Sequence, residues 1–200
     1  MDEKTKESGA GTRSTVKKSI KTHFTPKRMS LMAVFVALSF AVSLFDFPIF
    51  PATPFLKLDF GNVFILLISF LLGPVEGVIV CVLKEICRMA ASSSGGVGEI
   101  ANMLVTSSYI LLPSIAYRFR KGLKHVIPCL LIACVLGTVV ALVTNRFINF
   151  PLYMGNGAAA FFKESFWFIV AFNFIKMGLI SVLTLLLYKR MSNFLKRMKI

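Results

Sequence analysis

Asn173 and Lys176 stand three residues apart in the middle of an otherwise apolar run, WFIVAFNFIKMGLISVLTLLLY, that ends at Tyr188. Residues at that spacing share one face of a helix, so the pair presents an amide, which both donates and accepts, beside an ammonium with three donors. A Lys near the centre of a membrane-spanning helix costs about 2.5–3.5 kcal/mol on insertion scales, so such groups face a bundle interior, a partner or a wet cavity. Similar placements recur along the chain. Lys84, Glu85 and Arg88 fall in one apolar stretch, Asn102 lies near the start of another, and Thr144, Asn145, Arg146 and Asn149 close a third. Lys84 and Arg88 are an i,i+4 pair on one helix face, with Glu85 to one side. Taken alone, these three read best as a buried charge cluster that fixes helix register. Amides and a few cations among aromatic side chains suit a neutral, polar small molecule, oriented by hydrogen bonds within a mostly apolar wall.

Other chemistries fit less well. Ion coupling calls for carboxylates within the membrane. Asp46, Asp59 and Glu99 fall near predicted helix ends, and Glu85 stands beside two cations. Catalysis calls for a nucleophile with its base, or a metal cluster. The two histidines, His23 and His125, fall in a tail and a loop, and no Walker A pattern occurs, so the expectation is neither an enzyme nor a nucleotide hydrolase. Cys81, Cys87, Cys129 and Cys134 form no CxxC pair and read as buried small hydrophobes rather than a zinc or redox site. The net charge of +14 does not point to nucleic acid, because the basic residues sit in tails and short loops instead of over a folded polar surface.

The elements that position these residues follow from hydropathy. With 56% hydrophobic residues and 16% charged, the chain reads as an all-α integral membrane protein. Residues 1–28 form a basic tail without a signal-peptide core, in which ESGAGTRST is expected to be disordered; residues 29–190 form the membrane domain and 191–200 a second basic tail. Six spans are predicted: Met29–Phe47, Gly61–Leu72, from Pro74 to Ala91, Glu99–Tyr117, Val126–Phe150 and Phe166–Tyr188. Between the first two, DFPIFPATPFLKLDF carries Pro48, Pro51 and Pro54 and reads as an ordered, non-helical lid. Gly73-Pro74 turns the second span directly into the third, so the two should pack antiparallel. SSSGGVGE, RFRKGLKH and PLYMGNGAAAFFKES are read as the remaining loops. Seventeen of the 23 Lys and Arg residues fall in the two tails and the Arg118–Lys124 loop, which six spans would place on one side. By the positive-inside rule that side is the cytoplasm, with both termini there. Lys84, Arg88, Asn102, Asn145, Asn149, Asn173 and Lys176 then converge on one outward-facing pocket. Trp167 and Tyr153 read as interfacial anchors.

In the first span Ala33, Ala37 and Ala41 form a stripe of small residues that lets another helix approach closely in lipid. That stripe, FLKLDF followed by the GPVEG turn, GGVGEIAN, TNRF and NFIK together resemble the substrate-binding S components of energy-coupling factor (ECF) vitamin transporters, most closely the riboflavin-specific kind. The resemblance covers about Met29 to Tyr188. It implies that riboflavin is a transported ligand and not a cofactor, captured from outside into a cell-membrane protein. The isoalloxazine edge would be hydrogen-bonded by Asn145, Asn173 and Lys176, and the ribityl chain held near Phe55, Leu56, Lys57 and Leu58. Asn149 lies four residues beyond Asn145 on the same face, and either could be the matching amide. The Ala33, Ala37, Ala41 face would dock on a transmembrane coupling subunit driven by two ATPases. The same scaffold could serve another vitamin or nucleobase, or act as a stand-alone carrier.

Overall fold

In the computed structural model, which describes residues 25–92, 95–119 and 123–197, the protein is a bundle of helices around one short central helix. The two tails before Thr25 and after Arg197, with the disorder expected of ESGAGTRST, lie outside the described residues, as do parts of the SSSGGVGE and RFRKGLKH loops. Helix α1 spans Pro26–Ser43, with Pro26 at the first helical position, where its missing N–H leaves no bond unmade. It starts and ends earlier than predicted, and its last residues give way to a loop that pairs with itself. Strands β1 (Phe47–Pro48) and β2 (Lys57–Leu58) form an antiparallel ladder, Phe47 opposite Leu58. The three-proline stretch is thus ordered and non-helical as expected, and it adds the one small sheet among the described residues.

Helix α2 (Gly61–Leu71) is central: Ile65, Leu66, Leu67 and Ile68 are buried on every side, as an all-round apolar helix must be. Its eleven residues reach only about 16 Å, about half the hydrocarbon thickness of a bilayer. It enters against α1 so closely that a Cβ on Gly61 would sit 2.3 Å from the Ser39 carbonyl oxygen, and the Ser39 hydroxyl donates to Gly61 O at 2.8 Å. Gly73, with φ 138°, turns the chain into α3 (Pro74–Met89). The two helices run antiparallel: Gly77 abuts Ser69 at one end, while Lys84 reaches Asn62 at the other.

Helices α4 (Val97–Phe119) and α5 (Leu123–Thr144) complete the main core, and α5 runs directly into a π-helical turn, Asn145–Asn149. Next come α6 (Phe150–Met154), a 3-10 turn (Gly155–Gly157) and α7 (Ala158–Arg197). The loop expected over PLYMGNGAAAFFKES is therefore almost entirely helical. Pro151 falls in the first turn of α6, where it is tolerated, and Ala158–Ala160 are the strongest helix formers, so only the glycine-bounded turn interrupts the backbone.

Three stretches are long and apolar enough to cross a membrane by length and composition: Pro26–Ser43, Val97–Phe119 and the helical run Lys124–Tyr188. Large apolar side chains such as Leu131, Val135, Val182 and Leu186 face outward, as lipid-facing surfaces do. The protein is a helical membrane protein. Cys81 and Cys134 are buried as expected, but Cys87 is exposed and Cys129 half-buried, because both lie on outward faces of their helices.

Candidate functional site

A cavity of about 670 Å³ opens between α1, the proline loop, α3, α4, the π turn and α7. The loop that roofs it is held by a second apolar core. Leu56 and Leu58 pack with Phe150, Ile169 and Phe172, and Phe55 meets the rings of Phe150 and Phe161 at 5.5 and 5.7 Å. Leu58 is buried in this core and does not line the cavity, while Phe55, Leu56 and Lys57 do.

The floor is a chain of charges and amides. Lys84, completely buried, donates to Asp59, to Glu85 Oε1 at 2.7 Å and to Asn62 Oδ1 at 3.5 Å. With all three hydrogens taken, Lys84 stands behind the cavity wall, where it fixes α3 to the loop and α2, as the charge-cluster reading has it. Asp59 also accepts from the Gly61 N–H at 2.7 Å, which starts α2. Asn102 bridges the floor: its amide N–H donates to Glu85 Oε1, and its Oδ1 accepts from Lys176 Nζ at 2.5 Å. Lys176 makes no ion pair among the described residues. Its charge is met by an amide dipole, and its remaining hydrogens are available to the cavity.

Asn173, one turn earlier, donates to Ile169 O at 2.8 Å. Across the cavity Asn145 donates to Ala141 O at 2.8 Å, and Asn149 donates to Asn145 Oδ1 at 3.0 Å. The π turn brings both amides to the wall, because its wider turn keeps residues four apart nearly in line. They are not equivalent. Asn145 has its oxygen engaged, whereas the buried Asn149 Oδ1 has no partner among the described residues.

Nearer the rim, Arg88 bonds Asp46 and the Ser43 carbonyl, with Glu99 3.8 Å from its Nε, and Lys57 lies 3.7 Å from Asp46. Tyr153 lines the cavity as well as standing near its mouth, while Trp167 is 75% exposed on the outer surface. Of the residues singled out from sequence, the structure therefore brings together Asn102, Asn145, Asn149, Asn173, Lys176, Arg88 and Phe55–Lys57. Four carboxylates join the same wall: Asp46, Asp59 and Glu99, which sequence reasoning assigned to helix ends, and Glu85, which it set beside two cations. The signal that could have found Asp59 is its place just before a helix start in a chain with a buried Lys in need of a counter-ion.

An apolar bundle walled around a polar, internally charge-balanced cavity is a membrane protein built to hold a small solute. The comparisons agree on which kind. The family model of the ECF transporter substrate-specific component matches residues 27–188. The riboflavin transporter RibU of Staphylococcus aureus is 34% identical over 86% of this chain and 93% of that protein. The riboflavin transporter FmnP of Bacillus subtilis is 24% identical over 64% of this chain and 68% of its own. A solved structure of the S component of a bacterial ECF transporter matches with a TM-score of 0.75 at 35% identity, covering 85% of this chain and 98% of that one. The chain belongs to the family of ECF transporter substrate-specific components.

Proposed function

We propose that the protein is the riboflavin-binding S component of an ECF-type vitamin uptake transporter in the cell membrane. The observation that carries this reading is the cavity: its volume falls within the roughly 300–1,000 Å³ usual for small-molecule sites, and amides and an ammonium project into it from two facing elements. A flavin ring edge alternates C=O and N–H groups, which Lys176, Asn173 and Asn149 can meet with donors and an acceptor. The ribityl chain lies toward Phe55, Leu56 and Lys57, with Asn145 holding Asn149 in place and Lys84 supporting the floor. The bundle crosses the membrane six times, with both termini and the basic Arg118–Lys124 loop cytoplasmic, so the cavity opens outward. Ala33, Ala37 and Ala41 are all exposed along α1, which supports their use as the face that docks on a transmembrane coupling subunit driven by two ATPases.

The test is the spectrum of the full chain purified in mild detergent, before and after denaturation. A yellow sample that releases riboflavin near one mole per mole is expected. A colourless sample that also fails to quench added riboflavin would overturn the assignment.

A further inference from the structure

Among the described residues, Glu85 is the one carboxylate of the cavity floor whose bonding is half finished. Its side chain is 2% exposed and lines the cavity. Oε1 accepts from both Lys84 and Asn102, while Oε2 is buried with no hydrogen-bond partner among the described residues. An ionised carboxylate can only accept, and a buried acceptor without a donor is a standing penalty. Lys84 cannot relieve it, since its three hydrogens are already committed. Nor does Glu85 call for a cation: it already pairs with the Lys84 ammonium at 2.7 Å. What is missing is a neutral donor.

We infer that Glu85 Oε2 accepts a hydrogen bond from an N–H or O–H group that the ligand brings into the cavity, and so selects for a ligand carrying a donor at that place. The inference rests on the riboflavin reading. Riboflavin offers such donors in its ring imide N–H and its ribityl hydroxyls, and either would complete the carboxylate.

The experiment is a fluorescence-quenching titration of the detergent-purified full chain and of Glu85→Gln with three flavins. These are riboflavin, N3-methylriboflavin, which lacks the imide N–H, and lumiflavin, which lacks the ribityl chain. Loss of a hydrogen bond to a charged group should weaken riboflavin roughly 10- to 100-fold in the variant. One of the two analogues should bind variant and unaltered protein about equally: N3-methylriboflavin if the donor is the imide, lumiflavin if it is a hydroxyl. Equal weakening of all three flavins, or unchanged riboflavin affinity, would overturn the role. Glu85→Asp keeps the charge opposite Lys84 but draws the carboxylate back from the cavity. It should repeat the pattern and serves where the Gln variant does not fold. Failure of the unaltered chain to bind riboflavin is seen before any variant is compared and would instead remove the parent reading.

Discussion

At the closed end of the bundle Ser69 bonds Ser114, Tyr117 bonds Tyr188, and Tyr109 reaches Ser181 and the Met177 carbonyl, all between packed helices. At the cavity end the buried groups are charges and amides, and among the described residues three atoms there, Thr53 Oγ1, Glu85 Oε2 and Asn149 Oδ1, have no hydrogen-bond partner; the last two belong to residues that line the cavity. Hydroxyls can settle their bonds within one or two helices: Ser114 donates to Ile110 O at 2.6 Å and Ser181 to Met177 O at 2.7 Å. Carboxylates and ammoniums need partners from several elements, and where those partners fall short a ligand can complete them. Buried polarity alone therefore does not mark a site; incomplete buried polarity on a cavity wall does.

The largest effect that would probe this contrast is Lys84→Ala. It strands Asp59 and Glu85 together in the floor, and breaking such a buried pair costs about 3–5 kcal/mol. Thermal unfolding without ligand should therefore shift well downward, and an unchanged transition would mean the floor is not held by Lys84. Next come Asn173→Ala and Lys176→Ala. Each should lower riboflavin affinity roughly 10- to 100-fold with the unliganded transition retained, since neither side chain completes an ion pair that folding needs. Unaltered affinity in both would sink their assignment to the ligand. The smallest is Ser69→Ala at the closed end, where Ser114 keeps its bond to Ile110 O. A loss of about 1 kcal/mol in stability is expected, with riboflavin affinity within about twofold, and a larger affinity change would erase the distinction between the two ends.

Much of this was readable in the chain. Long apolar runs located the helices, because hydrophobic length is close to a direct statement of membrane geometry. The improbable Asn173 and Lys176 pointed to the cavity for the same reason. Less readable was anything set by distant pairing. Lys84 and Arg88 share a helix face, yet one is sealed behind the wall by Asp59 and the other reaches Asp46 at the rim, partners 25 and 42 residues away. Glu85 was discounted because two cations flank it in sequence; only the fold shows that Lys84 satisfies one of its oxygens. The misread last loop has a local cause: glycines and a proline mark breaks in general, but here Pro151 begins a helical turn and three alanines restart the helix at once.

The π turn at Asn145–Asn149, closed by the Phe150 N–H on the Asn145 carbonyl, holds one residue more than an α turn would. Read as heredity, that extra residue is a single codon's worth of chain. Losing that codon would rotate everything after it by about 100°, swinging Phe150 and Tyr153 off the cavity while leaving the helix as apolar as before. A lineage could thus change what this scaffold recognises in one step, without putting its passage into the membrane at risk.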